Sequence, residues 1–517
     1  MSVVPVLSAD EAALWDRIAR EDFSIPSRVL MESAGRAVAA ALAREFGARL
    51  GQGVIVVCGA GNNGGDGFVA ARALAALGVH VTCVALEGEP APDNAANRAL
   101  AEMGGCRVVS LAGEWGPCGV VVDALLGTGA KGAPRGAPAE AVEKLMRLGV
   151  PVVAVDGPTG LDLTTGEVGA PCVRADLTVT FGAFRRGHLL QRSLCGDVVV
   201  MEMGFPPPDP RWPGVVSDRW LGEVLPPFRA EMHKGERGRV AIVGGSEGMA
   251  GAVIFAAKAA ARSGAGLVKI CASEATTRAA QAQNPDIMCV TTALGPELEE
   301  SLVETLEWAD AVVVGPGLGR GAARDAFARA VLEAAKGSVL VDADGLYAFR
   351  GAVDELRGLL SGRIALITPH RGEFGVLFPD LLERTRHDPF GAAAEAAERL
   401  GHAILLKGVP TVVAAPGLSL LVTASGNPGL ATGGTGDVLT GMAASWLARG
   451  APGQTAGAAA AHVHGRAAED VAQHRSVRTL RPDDLLGVLS PLWRSLQETA
   501  LPCDPPLLAR LEAPSVR

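Results

Sequence analysis

Gly426-Asn427-Pro428-Gly429-Leu430-Ala431-Thr432-Gly433-Gly434-Thr435-Gly436-Asp437 runs into a helical stretch that begins near Val438. A glycine-rich loop opening a helix presents backbone N–H groups at the helix's positive end, where charge building on a transferring phosphoryl group is stabilised. Asp437 then stands where it can take the proton of an attacking hydroxyl. A turn with a capping acid needs fewer glycines than surround Asp437. The stretch predicts an α/β domain whose chemistry is phosphoryl transfer.

Upstream segments supply matching parts. Lys407-Gly408-Val409-Pro410-Thr411 follows a buried strand and offers an ammonium and a hydroxyl to nucleotide phosphates, or a capping lysine. In Thr368-Pro369-His370-Arg371-Gly372-Glu373, His370 meets a substrate phosphate or ribose, or is structural. Gly315-Pro316-Gly317-Leu318-Gly319 permits close backbone approach, and Asp342-Ala343-Asp344-Gly345 carries acids that are structural or organise magnesium. His233-Lys234-Gly235-Glu236-Arg237-Gly238 opens this domain, and Gly251-Ala252 leaves room for a flat ring.

At 517 residues the chain calls for two domains. Hydrophobic residues are 48% and charged residues 20%, a globular composition. The net charge of -9 carries no Lys/Arg block, so neither nucleic acid nor anionic membrane is an expected partner. No apolar run is long enough for a membrane span, and Met1–Asp10 has no signal-peptide character. Nine single cysteines without a CxxC pair suit a reducing, cytoplasmic setting and argue against zinc; His462 and His464 read as structural. Phe205-Pro206-Pro207-Pro208-Asp209-Pro210-Arg211-Trp212-Pro213 breaks helix and strand alike and reads as a linker between domains at 1–210 and 217–500. On both sides, β-branched runs alternate with alanine-rich helical segments, the pattern of a largely parallel sheet. The fold class is therefore α/β twice over, a Rossmann-like three-layer domain followed by a second α/β domain. From Pro502 onward a loosely packed tail is expected.

In the first half, Gly59-Ala60-Gly61-Asn62-Asn63-Gly64-Gly65-Asp66-Gly67 follows the strand Val54–Cys58 and contains GxGxxG. The quick reading is a dinucleotide site, with pyrophosphate on the helix N-terminus and Glu87 on a ribose. Asp66 opposes it, because a carboxylate inside an anion cradle repels pyrophosphate. Amides, a carboxylate and bare backbone suit sugar hydroxyls and a hard cation better. Asp123, in Asp123-Ala124-Leu125-Leu126-Gly127-Thr128-Gly129, and Asp156, in Asp156-Gly157-Pro158-Thr159-Gly160-Leu161-Asp162, fall at strand ends where ligands bind. Either aspartate alone is as readily a helix cap.

These three segments, with Ile25-Pro26-Ser27-Arg28-Val29-Leu30-Met31-Glu32, resemble the NAD(P)H-hydrate epimerase domain. The resemblance implies that Asn62, Asn63, Gly64, Gly65 and Asp66, and Gly127, Thr128, Gly129, Ala130, Lys131, Gly132 and Ala133, contact the hydrated nucleotide. It places Asp156 at the reacting ring and a potassium ion on Asn63, Asp123 and Thr159. Thr159 stands where serine is usual, and Gly157 where isoleucine is common. The segments of the second half resemble ADP-dependent NAD(P)H-hydrate dehydratase, of the ribokinase-like superfamily, over most of 220–495. That resemblance implies hydrate contacts at Ala252, Gly317, His370 and Asp437, and adenine-nucleotide contacts at Lys407, Gly408, Val409, Pro410, Thr411 and Gly436.

Together they imply a bifunctional isomerase and lyase that repairs the hydrates of NADH and NADPH with ADP as co-substrate and magnesium as its ion, releasing AMP and phosphate, in a homo-oligomer. Asp437 takes the hydroxyl proton, the oxygen attacks the terminal phosphate, and phosphate leaves as the ring double bond reforms. One configuration satisfies that geometry, so an epimerase on the same chain rescues the other. Two rivals stand beside this reading: a vitamin-precursor kinase using the same Asp437, and a first domain that binds without catalysing.

Overall fold

The computed structural model describes residues 3–498 and 507–514. Two compact units divide the chain: one runs from Val4 to Trp212 and takes in the tail strand Leu507–Leu511, the other runs from Pro213 to residue 498.

In the first unit the strands of the parallel sheet are β1 (Val54–Cys58), β2 (Val81–Ala85), β3 (Arg107–Ser110), β4 (Val120–Ala124), β5 (Val152–Val155), β6 (Leu177–Phe181) and β7 (Asp197–Met201). They lie in the order β7-β6-β5-β4-β1-β2-β3, all parallel. β1 and β4 are Val-rich and buried along their whole length, as strands covered on both faces must be. The chain leaves β1 in one direction and β4 in the other, so the strand order reverses between them and a crevice opens beyond their carboxyl ends. α1 (Asn62–Ala76) starts at that crevice. The apolar faces of the sheet close two cores, one around Val56, Phe68 and Leu74 and one around Ile55, Val57 and Leu145.

The tail departs from expectation. Residues 502–506 lie outside the described residues, but Leu507–Leu511 is a strand, antiparallel to β7 at the edge of the first unit's sheet. Leu507 packs on that unit's core, and Arg510 pairs with Glu45 and Asp197. Covering β7 satisfies backbone groups that an open edge leaves bare.

The second unit carries β8 (Gly214–Val215), β9 (Arg239–Val243), β10 (Leu267–Ala272), β11 (Met288–Thr291), β12 (Ala311–Val314), β13 (Ser338–Val341), β14 (Ala365–Ile367), β15 (Ala403–Leu406), β16 (Thr411–Ala414) and β17 (Leu421–Thr423). Their order is β11-β10-β9-β12-β13-β14-β15-β16-β17-β8. The sheet is parallel from β11 to β15, and β16 runs antiparallel to both its neighbours. Two helices pack beside it, α2 (Ala250–Arg262) and α4 (Thr435–Leu447), while α3 (Arg371–Leu377) follows β14. A Cβ on Gly441 would sit 1.9 Å from the Ala256 carbonyl, so its absence lets α4 lie directly on α2. α2 stops at Arg262, because Ser263-Gly264 turns the chain into β10. No helix among the described residues is long and apolar enough to cross a membrane.

Candidate active sites

In the first unit a cavity of about 750 Å³ opens at the crevice, lined by Asn62, Asn63, Asp66, the Gly127–Ala130 segment, Asp156 and Arg185 among others. β5 ends at Val155, and Asp156 leaves it with φ 64. That turn aims the carboxylate back across the strand ends. Its Oδ2 accepts from the Thr128 amide at 2.7 Å and from the Thr128 hydroxyl; its Oδ1 faces the Arg185 guanidinium at 3.3 Å and the Thr180 hydroxyl at 3.3 Å. Burial alone raises a carboxyl, but Arg185 and Thr128 outweigh it and hold Asp156 below the usual range. The group is an anion at neutral pH.

Arg185 and His188 were not singled out in the sequence. Arg185 also donates to the Thr128 hydroxyl at 2.9 Å and to the Ala183 carbonyl at 3.0 Å, so the guanidinium is fixed on three partners. His188 accepts the Arg185 amide on Nδ1 at 3.0 Å and reaches the Asp156 carbonyl with Nε2 at 2.7 Å. Burial pulls its imidazole down to about 4, which keeps it neutral and suited to that pattern. The signal for both lay in Arg185-Arg186-Gly187-His188 just past the strand Leu177–Phe181.

Asp123 is fully buried at the end of β4. It accepts from the Thr159 amide and hydroxyl, each at 2.8 Å, and from the Leu125 amide at 3.2 Å; burial nonetheless pushes its carboxyl up to about 6. Gly127 lies between Asn63 and Asp156: a Cβ there would sit 3.2 Å from Asn63 Oδ1 and 3.1 Å from Asp156 Oδ2. Asn63 Nδ2 is buried without a hydrogen-bond partner. The Gly157 departure has a plain cause, since a Cβ there would meet the Leu163 side chain at 2.6 Å, so Leu163 occupies the space of a larger residue.

Not every expected contact faces the cavity. Gly64 and Gly65 are buried in the packing of α1, where a Cβ would strike the Gly59 carbonyl at 1.9 Å and Met31 at 2.6 Å. Lys131, Gly132 and Ala133 are exposed and run on beyond the cavity wall. Asp66 is pushed far above the carboxylate range by burial, with Asp156 and Asp16 adding to it. That raising weakens the charge expected to oppose an anionic ligand.

In the second unit Gly434 caps α4 with φ 94, and Asp437 is the third residue of the helix. Burial first, then Asp342, raises Asp437 to about 7 against the lowering effect of Lys407. Lys407 Nζ bonds Asp342 at 2.8 Å, and Thr440 donates to the other Asp342 oxygen. Burial works against the Lys407 charge, but Asp342 and Glu373 outweigh it and the ammonium is held above its ordinary range. A half-buried cation thus stands beneath the glycine loop, 3.9 Å from where a Cβ of Gly436 would be.

His370 caps α3: its Nδ1 accepts from the Gly372 amide at 2.9 Å and the Glu373 amide at 3.2 Å, while Glu373 accepts from the His370 amide at 2.8 Å. Its Nε2 lies 3.3 Å from Glu373 Oε1, on a ring that is 58% accessible. The Lys407 amide donates to the Pro369 carbonyl at 2.9 Å, which sets His370 and Lys407 on adjacent strand ends. Ala252 and Gly317 are also neighbours, and Phe255 of α2 packs against Gly434. Gly408 and Val409 are exposed while Pro410 is buried, and the Thr411 hydroxyl donates to the Gly408 carbonyl at 3.1 Å. Asp344 is engaged by the Gly319 amide at 3.0 Å and by Arg320 at 2.9 Å. His462 pairs with Asp218 at 2.7 Å, the structural role expected for it.

Comparison with known proteins follows the same division. A family model described as NAD(P)H-hydrate dehydratase matches residues 240–490, and one described as YjeF-related protein N-terminus matches residues 27–187. A ribokinase-like superfamily protein from Enterococcus faecalis V583 aligns at 27% identity over 55% of this chain and 96% of its own, with a TM-score of 0.49. The bifunctional NAD(P)H-hydrate repair enzyme of Moorella thermoacetica is 34% identical over 95% of this chain and 97% of its own length. That of Pyrobaculum aerophilum is 38% identical over 90% and 92%. Similar to such relatives along nearly its whole length, the chain belongs to the bifunctional NAD(P)H-hydrate repair enzyme family.

Proposed function

We propose that the first unit interconverts the two epimers of hydrated NADH and NADPH and that the second dehydrates one of them with ADP, releasing AMP and phosphate. The observation that carries the reading is the pairing of an aspartate raised to about 7 with a glycine loop and a half-buried ammonium. Hydroxide is a poor leaving group. Asp437 removes the hydroxyl proton, the oxygen attacks the terminal phosphorus of ADP, and AMP departs. The phosphate ester then leaves as phosphate while the ring proton is lost and the double bond reforms. Backbone N–H groups of the Gly433–Gly436 turn and the Lys407 ammonium stabilise charge on the moving phosphoryl group. The Lys407–Thr411 segment, with Val409 exposed, holds the nucleotide, and Ala252, Gly317 and His370 hold the hydrate.

In the first unit Asp156, fixed as an anion, faces the ring. When the ring nitrogen's electron pair expels the hydroxyl, protonated from solvent, as water, the adjacent carboxylate stabilises the resulting cation, and water returns to either face and gives up a proton to solvent. Asn63, Asp123 and Thr159 supply oxygen donors and one carboxylate, a set suited to a monovalent cation such as potassium. The fully buried Asp123 carboxyl, raised by burial, is the charge a cation there would neutralise, and Asn63 would join through its Oδ1. Potassium would orient the Gly127 loop rather than react. Magnesium accompanies the ADP phosphates; Asp342 and Asp344 are already engaged by Lys407, Thr440, Gly319 and Arg320, so no protein carboxylate is assigned to it. A reducing cytoplasm suits the free thiols, which are all eight cysteines among the described residues.

The test is incubation of the purified chain with both NADH-hydrate epimers, ADP and magnesium while reduced-nicotinamide absorbance is followed. Full recovery is expected. Recovery that stalls once one epimer is consumed refutes the first-unit assignment, and no recovery with ADP or ATP refutes the second.

A further inference from the structure

Beside the epimerase cavity lies a second one of about 450 Å³, over the carboxyl ends of β1, β2 and β3. The two share Gly59, Ala60, Leu86 and Glu87, so they form one cleft divided at the glycine loop. The first unit's strand order, read from β3 through β2 and β1 to β4, β5 and β6, is that of a dinucleotide-binding sheet, in which a ligand spans the reversal point. Nothing in the reaction at Asp156 uses the smaller arm.

The three glycines of GxGxxG divide their work as such a site requires. A Cβ on Gly59 would lie 2.1 Å from the Leu125 carbonyl, so Gly59 makes the tight turn; one on Gly64 would lie 1.9 Å from the Gly59 carbonyl, so Gly64 lets helix and strand close. A Cβ on Gly61 meets nothing within 4 Å. The middle glycine therefore borders open space, where a pyrophosphate approaches the backbone. Asn94 donates to the Gly59 carbonyl at 2.9 Å and the Gly61 carbonyl at 2.6 Å, fixing the loop from the far side. The 15-residue helix α1 begins here without a side-chain cap.

We infer that the smaller arm of the cleft binds the adenosine half of the hydrated dinucleotide, with Glu87 on the ribose diol, and that this chain thereby favours NADH-hydrate over NADPH-hydrate in epimerisation. Glu87 follows β2 by two residues and lines both cavities, the place from which a carboxylate accepts hydrogen bonds from both hydroxyls of an adenosine ribose. A 2′-phosphate would remove one donor and set a dianion against that carboxylate. Arg98, the cation on the same wall, bends along its own helix to Glu102 at 3.3 Å. The inference rests on the epimerase reading and adds the position of the half of the substrate that does not react.

The test measures epimerisation by the full-length protein with three substrates: NADH-hydrate, NADPH-hydrate and the hydrate of reduced nicotinamide mononucleotide, which lacks the adenosine half. The wild type should prefer NADH-hydrate over the other two by at least about tenfold in kcat/KM, the scale of one charge-assisted hydrogen-bonded contact. Glu87→Gln should raise KM for NADH-hydrate about tenfold with kcat kept and shrink its preference over NADPH-hydrate. Ser110→Trp fills the arm from an exposed wall position and should erase the preference for NADH-hydrate over the mononucleotide. Equal efficiency with NADH-hydrate and NADPH-hydrate in the wild type, or a preference over the mononucleotide that survives both substitutions, overturns the subsite while the epimerase stands. Turnover of none of the three overturns both.

Discussion

Asp156 and Asp437 are the carboxyls proposed to react in their units, the first buried and the second half-buried beside a glycine-rich segment, and their surroundings drive them in opposite directions. Asp156 is clasped by Arg185 and Thr128 and stays ionised. Asp437 shares its site with Asp342, whose negative charge is turned toward Lys407, and rises to about 7. The same residue type is thus fitted to two tasks. An anion held permanently suits stabilisation of a cationic ring, whereas a carboxyl poised near neutrality suits a base that collects a proton and gives it up again.

The largest break in that comparison comes from deleting the base. Asp437→Ala should lower dehydration by about 10³-fold, within the range for a positioned general base, and leave epimer interconversion at the wild-type rate. NMR of the two hydrate epimers without ADP reads the second activity independently. Loss of both together would mean that the units do not divide the chemistry.

Arg185→Met attacks the other side. Without the guanidinium, burial is left to raise Asp156, so the carboxylate fraction falls as the pH falls. Epimerisation should drop about 10²-fold at pH 6 and recover partly as the pH rises toward 8, whereas the wild type stays flat across that window. A variant with an unchanged pH profile would show that Arg185 is not what keeps Asp156 ionised.

Dehydration in the wild type should carry the opposite signature. Its kcat/KM should climb through about pH 7 as free Asp437 loses its proton and level off above, changing about tenfold between pH 6 and 8. A profile flat from 5 to 8 would place the base elsewhere.

The glycine loops, the strand-end aspartates and both α/β sheets were legible because each is a local pattern: a β-branched run, then Gly or Asp, then a helix. Arg185 was not, because its meaning comes from Asp156, 29 residues earlier and one strand away. Edge strands escaped for a related reason. Arg107–Ser110 is only half-buried and carries no apolar run, while Leu507–Leu511 takes its identity from β7, some 310 residues back in the chain. Packing also gives Gly64 and Gly65 a use that the loop pattern does not reveal, since a Cβ on either would strike the Gly59 carbonyl or Met31.

The smallest expected effect tests the comparison through stability. Asp437 has a folded pKa above its unfolded value of about 4, so the folded state keeps a proton that the unfolded chain releases, and stability falls as the pH rises from about 4 through 7. Asp437→Asn should therefore stabilise the second unit at pH 8, on the order of 1–2 kcal/mol, with the gain fading toward pH 4. Asp156 has the reverse sign: its folded pKa is lowered, its contribution is present above the ordinary aspartate range, and it is lost on acidification. Asp156→Asn should destabilise the first unit at pH 8 and matter less as the pH drops below about 4, because it strands the Arg185 charge only where the native carboxylate would have paired it. Chemical denaturation of the two variants at pH 5 and 8 reads both signs, and a shift in the same direction for both would dissolve the contrast between the two carboxyls.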